Sequence, residues 1–306
     1  MVGMTRFVAP LPTRDGLSPS HLHLPAGQWP SLLAFLVEYF PHVAAAVWHA
    51  RLTAGLVVDD QGVPYRPDSA YIAHQRIWYY REVVHEVPVP FAAPVLFRDE
   101  RLVVADKPHL LAAVPAGHYV RETLLTRLRL ELDMPALTPL HRLDRETAGV
   151  MLFCTRPEDR GRYQTLFQRH EVRKEYEAIA PFCAGLALPL IRRSRLEERG
   201  DSFLMEEVDG EPNSETCVEL IERHGDLARY RLMPSSGKKH QLRAHLAALG
   251  IGIRGDRWYP QLLPERAADD FSAPLQLLAR SIAFIDPFDG RERQFSSGRS
   301  LSWPAG

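Results

Sequence analysis

Three short runs of this chain hold residues whose types and spacing can do chemistry. The first is His141-Arg142-Leu143-Asp144-Arg145-Glu146-Thr147, a charged loop that runs directly into the apolar stretch Ala148–Phe153. A loop anchored by a rigid strand is where reactive groups are usually held. Asp144 stands between Arg142 and Arg145, and such a cluster of charges is a pointer to a functional site. Read without its neighbours, the same loop is a solvated turn. The second run is Arg173–Ile179, where strand period 2 puts Lys174, Tyr176 and Ala178 on one face. Tyr176 by itself reads as a core aromatic with its hydroxyl at the rim. The third run is Arg231–His245, in which a turn, Pro234 to Gly237, leads Lys238, Lys239 and His240 into a helix start. Arg243 stands one position from that helix's apolar stripe and is read as projecting into a cleft. From Gly225 to Pro260 seven cations (Arg229, Arg231, Lys238, Lys239, Arg243, Arg254, Arg257) face two acids, Asp226 and Asp256. A cationic segment beside a helix start suits phosphates.

These runs need elements to position them, and the rest of the 306 residues supplies the pattern. Residues 1–30, punctuated by Pro10, Pro12, Pro19, Pro25 and Pro30, read as an extended arm. Leu32, Leu33, Leu36 and Phe40 recur at near-helical spacing, with Ser31 as the cap. A second helix and a short strand running into a turn at Gly55–Gly62 complete a small unit over residues 31–86. The stretch Val87-Pro-Val-Pro-Phe-Ala-Ala-Pro94 is a linker, because proline lacks the N–H and fixes φ. Beyond it strands are expected at Leu102–Ala105, Gly149–Cys154, Val172–Ile179, Thr216–Ile221 and Ala228–Met233. Helices are expected at Arg121–Leu132, from a capping box at Thr155–Glu158 to near His170, and at His240–Leu249. Strands and helices mixed without βαβ regularity argue for an α+β fold.

Composition removes several function classes. Apolar residues at 45% and charged residues at 25% exclude a disordered or fibrous chain. The net charge of −1 announces no global nucleic-acid affinity, so any such site is local. Only four of the 37 cations are lysines; arginine forks suit phosphates and stack on bases, and a GC-rich genome would give the same bias. Met1–Pro10 carries no signal-peptide pattern, and no run reaches the length of a membrane span. Cys154, Cys183 and Cys217 form no CxxC pair, so buried free thiols in a cytoplasmic protein are expected, without zinc or disulfides. Ser235-Ser-Gly-Lys-Lys lacks the spacing and the hydroxyl of a phosphate loop, and neither HExxH, GxSxG nor GxGxxG occurs.

Taken together, the three runs resemble the RluA-type pseudouridine synthase family over about residues 87–290. The family's His-Arg-Leu-Asp-Arg-x-Thr-Ser-Gly block stands here at His141–Gly149 with Ala148 in the serine's place. Its Lys-x-Tyr-x-Ala block is Lys174–Ala178, and its Gly-Arg-x-His-Gln-Leu-Arg-x-His block is Gly237–His245 with Lys238 for the first arginine. Val103-Val-Ala-Asp-Lys-Pro108 and Gly255-Asp256 with Tyr259 also fit the family pattern, although the glycine and proline expected nearby are altered. Residues 31–86 resemble, more weakly, the S4-like RNA-binding domain often placed ahead of this catalytic domain. Over residues 1–90, however, six arginines face seven acids, no basic excess for an RNA face.

The resemblance implies a mixed, largely antiparallel sheet with a central cleft in residues 87–306. It implies isomerisation of uridine in structured RNA, ribosomal first and transfer RNA second. Asp144 is the implied nucleophile on sugar or base, and Arg243 the cation that keeps it ionised. Arg142 would fill the space the flipped base leaves, Tyr176 lie against the uracil and help remove the C5 proton, and Leu242 wall the other side. His141, Lys174, Lys238, Lys239, His240, Arg254 and Arg257 would bind substrate. The reaction has no redox change, so no cofactor or metal is expected, nor a membrane, and the chain is read as a monomer. Two other readings are a glycosidase-like hydrolase pairing Asp144 with Glu146 or Asp256, and a non-catalytic RNA-binding protein on the same fold.

Overall fold

The computed structural model describes residues 9–81, 86–200 and 202–303, and the chain divides between residues 85 and 86 into two compact units. The start of the expected arm, residues 1–8, and the end of the 31–86 unit, residues 82–85, lie outside the described residues.

In the first unit β1 (Ser20–His23) is followed by α1 (Leu32–Tyr39), α2 (Ala45–Thr53), β2 (Val57–Val58) and β3 (Arg76–Tyr79). Ser31 Oγ accepts from the Ala34 amide at 3.1 Å and so starts α1 as expected. Pro41 disfavours helical geometry in the residue before it, and α1 stops at Tyr39. Leu32, Phe35, Leu36, Trp48, Leu52, Val57 and Ile77 are buried together as one core. The expected arm is corrected in one part: Ser20–His23 pairs antiparallel with β3, order β1-β3-β2, so the alternation of Leu22 and its polar neighbours is that of an edge strand.

The second unit opens with β4 (Val95–Arg98), β5 (Leu102–Lys107), α3 (Leu124–Glu131), β6 (Thr138–Pro139), β7 (Ala148–Cys154), α4 (Arg160–Gln168) and β8 (Arg173–Pro181). It continues with β9 (Leu190–Glu198), β10 (Met205–Val208), β11 (Ser214–His224), β12 (Leu227–Pro234), α5 (Gln241–Ala248), β13 (Leu277–Ile285) and β14 (Glu292–Ser296). The strands form one sheet in the order β10-β9-β11-β12-β8-β13-β7-β5-β4, with β14 on β13 and β6 on β7. Only β13 and β7 run parallel; the other pairings are antiparallel, the mixed sheet of an α+β fold. Of the apolar cores that lie on it, two flank the site described below. Val103, Ala105, Leu124, Leu128, Met151 and Phe153 pack with α3. Ala178, Tyr230, Leu232, Leu242, Leu246 and Ile253 pack with α5.

Three local expectations are corrected. The Thr155 hydroxyl donates to the Glu100 carbonyl instead of capping α4, whose N-cap is Asp159 with no side-chain cap bond. The cysteines are free, but only Cys154 is buried; Cys183 is exposed and Cys217 partly so. The linker residue Val89 is buried in the α3 core, so the proline stretch is packed chain and not a free tether. No helix among the described residues is long and apolar enough to cross a membrane.

Candidate active site

The loop that carries Asp144 enters β7 at the seam where the sheet changes direction. Gly149 has φ +115° and pairs with Ala279 of β13; a Cβ there would fall 2.2 Å from the Ala279 carbonyl oxygen. Only glycine allows so close an approach. The loop is closed by the Thr147 amide donating to the Asp144 carbonyl at 3.1 Å. It is tied from behind by Lys107, the last residue of β5, whose buried Nζ donates to the carbonyls of Arg145 (2.9 Å), Leu111 (2.7 Å) and Pro108 (3.1 Å). Burial pulls the Lys107 ammonium down to about 7, against the opposing pull of the Asp144 charge.

Arg243 comes from α5 and is the centre of the arrangement. Its side chain is 1% exposed, that of Asp144 28%, so the cation is withdrawn from solvent while the carboxylate is partly open to it. Arg243 Nε and Nη2 form a fork with Asp256 at 2.7 and 2.6 Å, and Nη2 also donates to Glu146 at 3.1 Å. Nη1 stands 3.5 Å from Asp144 Oδ2 and has no hydrogen-bond partner. Asp256 Oδ1 accepts from the Trp258 and Tyr259 amides at 2.8 and 3.1 Å, and the guanidinium lies 4.3 Å from the Trp258 ring centre. Burial works against the Arg243 charge, but the carboxylates, Asp256 foremost, raise its pKa above the ordinary value.

Tyr176 on β8 packs against both apolar cores and lies in register with Ala279 and Leu232. Along the same row Gly149 and Lys107 follow, so the tyrosine and the Asp144 loop flank one line across the sheet. Burial, reinforced by the Asp144 charge, pushes the Tyr176 phenol above its ordinary range, so it is neutral at pH 7. Leu242 is buried in the α5 core beside Tyr176. Arg142 is exposed, and its side chain makes no ion pair or hydrogen bond among the described residues.

Several expected substrate ligands are engaged inside the fold. His141 Nε2 accepts from the Leu152 amide at 3.1 Å and its ring stacks on Phe167 at 5.2 Å, so it fastens the loop to β7. Lys174 Nζ donates to the Ser236 carbonyl at 2.7 Å and holds the 234–237 turn. His240, with φ +53°, is the left-handed residue ahead of α5 and meets the Tyr259 hydroxyl at 3.0 Å. Lys239 pairs with Glu198 at 2.9 Å, and Arg257 donates to the Pro264 carbonyl. Arg229 and Arg231 pair with Glu222, Glu175 and Glu219. The local excess of +5 therefore reduces to Lys238 and Arg254, both exposed and without side-chain partners among the described residues. Counting charge along a segment missed acids that arrive from other strands.

The sequence reading assigned no position in the site to Lys107, Glu146, Asp256 or Trp258. Lys107 and Asp256 stood inside quoted blocks, and Glu146 and Asp256 were weighed only as the second carboxylate of a hydrolase. Both are bound to Arg243, so neither is the free acid that reading needs. No group of three His, Cys, Asp or Glu residues among the described residues is placed to hold a metal.

A family model described as RNA pseudouridylate synthase matches residues 101–248. The dual-specificity RNA pseudouridine synthase RluA of Escherichia coli O6:H1 (strain CFT073) is 32% identical, covering 66% of this chain and 91% of that protein. The tRNA pseudouridine synthase C of Vibrio cholerae is 30% identical, covering 68% and 92%. The solved structure of human RNA pseudouridylate synthase domain containing 1 has a TM-score of 0.56 at 21% identity, covering 70% of this chain and 86% of that one, a likeness of fold.

Proposed function

The chain belongs to the RluA-type RNA pseudouridine synthase family, and on that premise we propose that Asp144 is the nucleophile of a uridine isomerisation in structured RNA, ribosomal RNA first and transfer RNA second. The observation that carries this reading is the solvent-facing Asp144 carboxylate 3.5 Å from a guanidinium that is itself withdrawn from solvent. A buried cation cannot be competed away by water, so its attraction for the Asp144 carboxylate is only weakly screened.

The reaction breaks the N1–C1′ bond, turns the uracil and forms the C5–C1′ bond. C5 loses a proton and N1 gains one, so atoms balance without water or an oxidant. Asp144 attacks sugar or base and is released at the end. The uridine must first leave its stack, at a cost of a few kcal/mol. Arg142, unpartnered and exposed, stacks in the vacated space. Tyr176 lies against the uracil, and as a neutral phenol its hydroxyl takes the C5 proton only in concert with passing on its own. Leu242 is the apolar wall. Lys238 and Arg254 contact phosphates, which position the RNA without specifying its sequence. We keep the S4-like reading for residues 31–86 and the monomeric, cytoplasmic enzyme as parts of the same proposal. Of the relatives, one is named a tRNA enzyme and one a dual-specificity RNA enzyme, in keeping with an RNA substrate.

The test is Asp144→Asn, an isostere that removes the charge. Carbodiimide-dependent reverse-transcription stops, mapped in total RNA with and without the gene, identify the target uridine. Wild type restores the stop and Asp144→Asn does not; a variant that restores it at the wild-type rate overturns the assignment.

A further inference from the structure

Glu146 is buried two residues beyond Asp144, in a place where a carboxylate needs a reason to be. It does not face the exposed side of the loop. Its Oε2 takes Arg243 Nη2 at 3.1 Å, the nitrogen that Asp256 already takes at 2.6 Å. A guanidinium is planar, so fixing Nε and both directions of Nη2 fixes where Nη1 points. That remaining nitrogen is the one left without a hydrogen bond and aimed at Asp144.

The two clamps differ in how they are held. Asp256 is locked by two backbone amides and by the Trp258 ring over the guanidinium, so it sets the depth of Arg243. Glu146 belongs to the same loop as Asp144, and His109 Nδ1 meets the Glu146 carbonyl at 2.8 Å. It therefore ties the loop to the cation, so that Asp144 and Nη1 cannot drift apart independently. We infer that Glu146 is a positioning residue for the isomerisation, fixing the reactive loop and the unengaged nitrogen of Arg243 against each other through Nη2, with Asp256 as the second clamp. This rests on the reading of Asp144 as the reacting carboxylate.

The geometry makes a demand on hydrogen-bond acceptance more than on charge. Glu146→Gln keeps an oxygen for Nη2, whereas Glu146→Ala removes it. Initial rates are measured with RNA tritiated at uridine C5, whose label is released on isomerisation, and RNA affinity is measured separately. Glu146→Ala is expected to lower kcat on the order of 100-fold, the scale of a small misplacement of reacting groups, with RNA affinity and KM unchanged. Glu146→Gln is expected to recover most of that loss. If Glu146→Ala does not fold, Glu146→Asp retracts the acceptor while keeping the charge, and the same fall in kcat at unchanged KM is expected. A wild-type kcat in Glu146→Ala or Glu146→Asp, a Gln variant no faster than Ala, or a loss that resides in RNA affinity overturns the inference. Asp144→Asn run in parallel separates the two claims. Turnover in that variant removes the nucleophile assignment, while its inactivity beside a wild-type kcat in Glu146→Ala or Glu146→Asp removes the positioning role alone.

Discussion

Lys107 Nζ lies 2.9 Å from the carbonyl of Arg145, so a buried ammonium at the end of β5 grips the residue next to Asp144. Three carbonyls use its three protons, and no carboxylate touches it. Its pKa falls to about 7 because burial disfavours the charge. In the unfolded chain the lysine titrates near its ordinary 10.5, so between about 7 and 10.5 the unfolded state holds more protons. Stability from this group therefore rises with pH through that window and is lowest below it. Urea midpoints at pH 7 and pH 9 should show this rise in wild type and a smaller one in Lys107→Met. The neutral amine has one donor fewer, so kcat should fall as pH rises through about 7 and the loop loosens. Equal pH slopes in the two proteins would show that another group is responsible.

Arg243 is a poor site for alanine. Its removal leaves Glu146 and Asp256 buried without a cation, a loss of about 3–5 kcal/mol of stability. Thermal unfolding of Arg243→Ala should show that loss beside absent turnover. Arg243→Lys keeps a charge but offers a point donor to three carboxylates. It is expected to fold, to bind RNA as wild type does, and to lose on the order of 100-fold in kcat. A wild-type kcat in Arg243→Lys would mean that charge alone suffices and the fork geometry is idle.

Arg142 has no partner to lose. Arg142→Ala should change stability by no more than about 0.5 kcal/mol, since the side chain is exposed. On the proposed stacking role, turnover should fall on a structured RNA and fall less on the same uridine in a single strand, where little stacking must be broken. Equal losses on both substrates would remove the stacking role.

Gly149→Ala tests the seam between β7 and β13. The added carbon has no space beside the Ala279 carbonyl, and the backbone there has positive φ. A destabilisation of about 1–3 kcal/mol or more is expected from overpacking, with kcat reduced in the fraction that folds because the Asp144 loop leads straight into this strand. Melting temperature and specific activity, measured on the same preparation, check both parts.

The sequence by itself singled out the side chains to which the proposal gives the chemistry. Asp144, Tyr176 and Arg243 stand in ordered blocks whose local patterning (charged loop before apolar strand, period-2 strand, turn before amphipathic helix) is visible without coordinates. Element positions were largely legible too, because Ser31, Pro41 and Gly250 act on their immediate neighbours. The strands β1, β3, β4, β6, β9, β10, β13 and β14 were not read, and β13 carries the parallel pairing that makes the seam. What only the tertiary structure decided is how charges are shared. Glu146 lies 97 residues from Arg243 in the chain, and nothing in a local pattern says that they meet. The same holds for the acids on β8, β9 and β11 and for the carbonyl that together engage most of the apparent cationic patch. Local periodicity encodes which face a residue takes; which partner waits on that face depends on chain segments brought together only when both cores close.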